Sequence, residues 1–282
     1  RHYPRPYRLA IERIPQLQEL RRRYMFEYTE ALTASIRHPR TLGKLAAMRS
    51  STFMRMQLQD PDVRRRAWPD YTFGCKRILF SSSFLPALQR PNVELVTDEI
   101  ERIVPEGLVT RDGTVRPADC IIWATGFRTN DFMFPMEIEG LGGHRLRDDW
   151  QSGAHAYLGM TVPGYPNMFV LYGPNTNTSG GSIIFYLERQ AAYARKALEL
   201  LRSRRAVAMD VRPEVEAAFN RDVQARFAGT AWLACRSWYK DERGRIVANW
   251  PGYMREYEQR TREVDPAEFR FIAAPARMPA AA

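Results

Sequence analysis

The residues best suited to chemistry in this 282-residue chain are Lys76 and Arg77, adjacent cations that follow Gly74 and precede an apolar segment. Lysine can hold a phosphate as a point charge. Arginine stays protonated and can hold developing oxyanion charge in a dry site. A surface Lys-Arg pair bracketing a strand is also common, and the pair alone leaves both readings open. The second candidate is Gly173-Pro-Asn-Thr-Asn-Thr-Ser-Gly-Gly181, small or polar residues that run directly into the clearest helical pattern of the chain. Free backbone N–H groups and the positive end of that helix would face whatever lies in front. The same loop could serve simply as a helix cap, through Ser179 or Thr178. The third candidate is Asp119-Cys-Ile-Ile-Trp-Ala-Thr-Gly-Phe127. Its apolar run reads as a short strand covered on both faces. A turn of almost no side-chain bulk closes it, where a ligand of an α/β sheet would sit.

Other candidates are weaker. Trp68, Tyr71, Trp238 and Trp250 could line a pocket, though such aromatics are more often core anchors. Cys75 lies beside two cations, a setting that favours a thiolate, but no base is identifiable and packing is the simpler role. His144 and His155 read as surface or loop residues. Three cysteines (75, 120, 235) and four histidines (2, 38, 144, 155) show no metal-ligand spacing, so no metal is expected.

Positioning these groups falls to a series of elements. Residues 13–56 carry a helical pattern, with Leu17, Leu20, Tyr24 and Tyr28 at three- and four-residue steps and a second run after Pro39. From Ile78 to Gly126 the signals are β: Ile78–Phe80, Val93–Val96, Ile100–Val104, Gly107–Thr110 with a turn at Arg111-Asp112-Gly113, and the Cys120 strand. Residues 127–180 are loop-rich. Gly181–Arg205 is a helix with an apolar stripe of Ile183, Ile184, Leu187, Ala191, Ala194, Leu198 and Leu201. A helix, a short Trp-rich β region and a last helix near Tyr253–Arg262 follow from Arg212 on, and the Ala/Pro-rich end from Ala273 reads as a disordered tail.

The net charge of +10 comes almost wholly from arginines spread along the chain. That distribution suits solvated helix faces better than a nucleic-acid footprint, so no nucleic-acid partner is expected. No apolar run approaches the ~20 residues of a membrane span. An odd cysteine count without a signal sequence fits a reducing cytoplasm.

Four segments in order make the chain resemble the C-terminal half of the flavin-containing and Baeyer–Villiger monooxygenases. They are Tyr71-Thr-Phe-Gly-Cys-Lys-Arg77, the Ala124-Thr-Gly-Phe127 return, Tyr165-Pro-Asn-Met-Phe-Val-Leu-Tyr-Gly-Pro-Asn175, and Ser237-Trp-Tyr-Lys-Asp-Glu-Arg-Gly-Arg245 with Asn249-Trp-Pro251. The last pair looks more like the Baeyer–Villiger branch. The resemblance implies an α/β fold: the C-terminal parts of a flavoprotein with two Rossmann-like dinucleotide-binding domains and a helical insertion. It implies a helical insertion at 1–60, the end of an NADPH-binding domain at 61–126, part of an FAD-binding domain at 127–205, and an extension at 206–272 before the tail at 273–282. It implies FAD and NADPH as cofactors, O2 as co-substrate and a ketone or soft heteroatom as substrate, oxygenated through a flavin C4a-peroxide. By the same likeness Lys76 holds the 2′-phosphate side of NADPH and Arg77 is catalytic, stabilising the peroxide. Thr125, Gly126, Phe127, Gly173, Asn175, Asn177, Thr178 and Ser179 would cradle FAD.

What the chain lacks matters too. It has no Gly-x-Gly-x-x-Gly loop, the phosphate-binding turn that such enzymes carry twice. The Phe-x-Gly-x-x-x-His-x-x-x-Trp fingerprint of the branch is absent as well. The chain is therefore expected to be a piece of a longer enzyme, and a separate partner chain carrying the N-terminal half is one form this could take. Rival readings are a non-catalytic remnant, a partner-dependent subunit, or an N-hydroxylating flavoprotein of the same architecture. A disulfide-reductase-like enzyme is disfavoured by the missing Cys-x-x-Cys.

Overall fold

The computed structural model of the chain describes residues 3–178 and 180–273; Ser179 and the expected tail from residue 274 lie outside the described residues. The helices and strands run α1 (Arg5–Arg13), α2 (Pro15–Arg37), α3 (Leu42–Gln57), α4 (Pro61–Ala67), α5 (Phe84–Ala87), β1 (Ile100–Val104), β2 (Gly107–Thr110), β3 (Val115–Pro117), α6 (Leu146–Asp149), α7 (Ile183–Ser203), β4 (Ala206–Val211), α8 (Pro213–Ala225), α9 (Met254–Arg260) and β5 (Phe269–Ala273). They group into two compact units, one of residues 47–70 and 79–128, the other of 3–46, 71–78 and the described residues of 129–273.

The smaller unit holds α4 and the antiparallel meander β1-β2-β3. Pro61 starts α4 where its missing N–H costs nothing, and Asp60 caps it by accepting from the N–H groups of Asp62 and Val63. The Arg111-Asp112-Gly113 turn joins β2 to β3, a strand the sequence reading did not include. Asp112 accepts from the Thr110 hydroxyl (2.6 Å), the Thr114 N–H (3.1 Å) and the Thr114 hydroxyl (2.9 Å). These bonds, that from Thr110 foremost, hold its carboxyl down at about 2.

Three expected strands do not form. Ile78–Phe80, Val93–Val96 and Cys120–Trp123 are irregular, and Ile122 is 85% exposed where a doubly covered strand was expected. A strand exists only where a neighbour completes its ladder of hydrogen bonds. Among the described residues none is paired with these segments.

The larger unit carries the main core, in which Trp232, Trp250, Tyr186, Tyr193, Tyr239, Tyr257, Phe227 and Phe269 are fully buried. The antiparallel pair β4–β5, also absent from the sequence reading, lies against it through Met209, Val211 and Phe269. α7 forms where expected, but it buries a different stripe: Tyr186, Gln190, Tyr193 and Ala197, while Ile184 is 64% exposed. The rings decide this, since Tyr186 packs on Tyr257 with centroids 4.6 Å apart. The buried Gln190 is satisfied by the Tyr172 N–H and the Tyr257 hydroxyl. Hydropathy alone scores such a face as polar. The cap of α7 is Ser182, which accepts from the Phe185 N–H, rather than Thr178. The expected Leu17, Leu20, Tyr24 stripe of α2 also points outward. α2 instead buries Thr33, Ser35 and Ile36 at its C-terminal end.

Candidate functional site

In the larger unit the loop ahead of α7 is fixed from below by the segment 246–250. The N–H of Asn175 donates to Val247 O (2.8 Å), that of Asn177 to Ala248 O (2.9 Å), and that of Trp250 to Asn177 O (2.8 Å). The side chains repeat the pattern. Asn175 Nδ2 donates to Ile246 O (2.8 Å) and Asn249 O (2.9 Å), and Asn177 Nδ2 to Asn249 Oδ1 (2.5 Å). The Tyr172 hydroxyl donates to Asn177 Oδ1 (2.6 Å). Thr178 Oγ1 accepts from the Gly181 N–H (2.5 Å) at the entrance to α7. Gly173 is needed for close approach: a Cβ there would sit 2.4 Å from the Gly159 carbonyl oxygen. Asn175, Asn177 and Thr178 are thus buried and largely engaged with their own chain. One atom is not: the buried Asn175 Oδ1 has no hydrogen-bond partner among the described residues. It is an acceptor without a donor in the loop that leads into α7.

Lys76 and Arg77 are exposed, on the segment 71–78 of the same unit. Gly74, at φ +81°, lies on α2 so closely that a Cβ would come within 2.6 Å of Ile36 Cγ1. That conformation and that contact both require glycine. Lys76 Nζ lies 4.4 Å from the centroid of the Tyr71 ring. Burial pushes the Tyr172 hydroxyl above the ordinary phenol range, and the Arg77 guanidinium opposes that rise. The structure therefore relates Arg77 through Tyr172 to the Asn177 loop. Tyr172 and Asn249 lie within the segments that carry the family resemblance, but nothing in the sequence marked their side chains as the partners of Asn177. Tyr172 holds φ +59°, an uncommon value for a residue with a side chain, and marks a constrained site only once coordinates exist.

Thr125, Gly126 and Phe127 belong to the smaller unit. Gly126 has φ +102°, and Phe127 is 94% exposed. Of the aromatics, Trp250 is core, as its type suggested. Trp238 is half exposed and lies on Tyr239 at 4.4 Å, Tyr71 carries the Lys76 ammonium, and Trp68 lies under the Arg55 guanidinium at 5.6 Å. His144 is exposed. His155 is a loop residue but faces inward, with Nδ1 2.6 Å from the buried Glu216 carboxylate. Among the described residues no cluster of His, Cys, Asp or Glu is arranged for a metal, and no helix is long and apolar enough to cross a membrane.

No protein-family model matches the chain. Curated relatives do. A Baeyer–Villiger monooxygenase of Pseudomonas aeruginosa is 33% identical over 271 residues, covering 95% of this chain and 51% of the relative. One from Streptomyces coelicolor is 36% identical over 276 residues, covering 95% and 53%. Among solved structures, an oxidised steroid monooxygenase bound to NADP superposes with a TM-score of 0.73 at 27% identity, over 83% of this chain and 46% of that one. OTEMO in complex with FAD and NADP gives 0.73 at 26% identity, over 82% and 44%. This chain thus spans about half the length of the curated relatives it matches.

Proposed function

We propose, from the premise that this chain belongs with the Baeyer–Villiger-type flavoprotein monooxygenases and corresponds to their C-terminal half, that it supplies one wall of an FAD- and NADPH-using site. At that site one oxygen atom of O2 would be inserted beside a ketone carbonyl or added to a heteroatom. The flavin and the nicotinamide would supply the redox chemistry when bound. The chain's own residues supply position and charge. Arg77 holds negative charge near the reacting oxygen, and Lys76 binds the phosphate end of the nicotinamide cofactor. Gly173, Asn175, Asn177, Thr178 and Ser179 shape the flavin-side loop, with Thr125, Gly126 and Phe127 as the return from the nicotinamide side. The domain boundaries read from the sequence are part of the same proposal, as is a cytoplasmic location. The geometric observation offered in its support is Oδ1 of Asn175, a buried acceptor with no hydrogen-bond partner among the described residues, on an amide whose nitrogen donates to the carbonyls of Ile246 and Asn249.

A second reading, that the chain works only with a partner polypeptide, has its own support. Leu79, Phe80, Ile122, Trp123 and Phe127 expose large apolar side chains within one unit. Large apolar side chains exposed in this number are what a surface covered by another polypeptide would present. The occupant would be a polypeptide equivalent to the N-terminal half of the relatives, carrying the Gly-x-Gly-x-x-Gly loops. The experiment is flavin retention. The purified chain is incubated with FAD, alone and with the separately expressed N-terminal half of the Streptomyces relative, then desalted. The roughly 450 nm flavin band should be retained with the complement, together with ketone-dependent NADPH oxidation. Retention by the chain alone would remove the need for a partner. No retention in either mixture would sink the flavoprotein reading.

A further inference from the structure

The segment bearing Lys76 and Arg77 is covalently tied to a distant part of the chain. Cys75 and Cys235 form a disulfide across 160 residues, with Cα atoms 6.1 Å apart, inside the usual range for such bonds. Neither spacing nor any local motif announces this pair. The two ends differ in access. Cys75 is fully buried, whereas Cys235 is partly exposed. On the Cys235 side the chain is drawn into a tight loop, because Lys240 Nζ donates to the carbonyls of Cys235 (2.8 Å) and Leu233 (3.1 Å). That loop is joined to residues 129–130, through Thr129 to Trp238 O and Asn130 to Lys240 O, and it is anchored in the core by Trp232.

On the Cys75 side the segment 71–78 has little else to hold it. It contains no helix or strand. Its described attachments to the rest of the chain are the Gly74 contact on Ile36, the packing of Ile78 on the core and the interaction of the Arg77 charge with the Tyr172 hydroxyl. We propose that Cys75 and Cys235 are a reversible thiol–disulfide site that determines whether the Lys76–Arg77 segment is held against the Lys240 loop or released from it. The roles of Lys76 and Arg77 rest on the function proposed above; the bridge and its hold on the segment do not.

The exchange balances as follows. A thiolate of a small dithiol attacks the sulfur of the partly exposed Cys235, the Cys75–Cys235 bond breaks, and Cys75 leaves as a thiolate, next in sequence to the cations Lys76 and Arg77, and takes up a proton. The reductant's second thiol then displaces Cys235. The reductant ends as a disulfide, having given two electrons, and the two protein sulfurs end as thiols. In the reverse direction one hydrogen peroxide takes two electrons and the two thiol protons and leaves as two waters.

The test uses the 282-residue chain without added cofactor. Thiols are alkylated under native conditions and counted by intact mass, after treatment with dithiothreitol and after reoxidation with hydrogen peroxide. Amide hydrogen exchange is followed in peptides covering 71–78 and 183–203. We expect one reactive thiol in the oxidised chain, that of Cys120, and three after reduction. Exchange in 71–78 should rise at least tenfold on reduction and return on reoxidation, with α7 unchanged. Cys235→Ser should resemble the reduced chain. Three reactive thiols after peroxide would overturn the bridge. Unchanged exchange in 71–78 would overturn its hold on that segment. A rise across the whole chain, α7 included, would make the bridge a general staple and overturn the local switch. Loss of flavin retention would leave each of these results intact, so the two readings fail separately.

Discussion

At the residue scale the informative feature is how few polar atoms near the candidate site are free. Tyr172, Asn177 and Asn249 are linked in one line, and Asn175 is gripped by two carbonyls. Replacing Tyr172 with Phe leaves a buried amide oxygen without its donor. Such a loss costs about 1–3 kcal/mol, and a lower urea midpoint with an unchanged slope should report it. Arg77 belongs to a different kind of test. Arg77→Ala leaves an exposed position without its charge, so the fold should hold. In the reconstituted complex, product formation should fall roughly 10²- to 10³-fold, as when an oxyanion donor is removed. Product assayed against NADPH consumed would read this directly, and an unchanged product yield would remove Arg77 from the chemistry.

At the element scale, α7 and the β2–β3 hairpin show local sequence acting through caps and turns. Ser182 holds the start of α7 through the Phe185 N–H. Ser182→Ala should therefore cost about 1 kcal/mol, measurable in the same denaturation series. A full retention of stability would mean that the Thr178 bond to Gly181 already suffices as a cap. The hairpin carries a pH signature. The Asp112 carboxyl is lowered to about 2 by its bonds to Thr110 and Thr114. Because the folded value lies below the ordinary one, the stabilisation is full above the ordinary carboxylate range and disappears as pH falls through about 2. Carboxyl chemical shifts followed by NMR should place the midpoint there, and Thr110→Val should move it upward.

At the scale of the whole molecule the two units differ in how complete they are. The larger unit has a dense aromatic core, in which Trp250 packs on Phe219 and Tyr257 with centroids 6.3 and 5.4 Å away. Trp250→Ala should cost about 3–5 kcal/mol and reduce the cooperativity of thermal unfolding. The smaller unit exposes Ile122, Trp123 and Phe127 instead. The free chain should therefore bind a hydrophobic dye such as ANS, and the signal should fall when the N-terminal half of a relative is added. Dye binding that is indifferent to that addition would argue that this surface has another occupant.

Residue order alone determined the family likeness, the helices α2, α3, α7 and α8, the strands β1 and β2, and the turn chemistry at Asp112. Each of these is set within a few residues by periodicity, capping or turn preference. The tertiary structure decided what depends on distant partners. It turned the Tyr186-Gln190-Tyr193 face of α7 inward because Tyr172 and Tyr257 satisfy Gln190. It paired β4 with β5 across the last part of the chain. It left the Cys120–Trp123 run outside any ladder, since a strand needs a neighbour that local sequence does not provide. It also joined Cys75 to Cys235, because a bond between residues 160 apart depends on where the fold carries each sulfur.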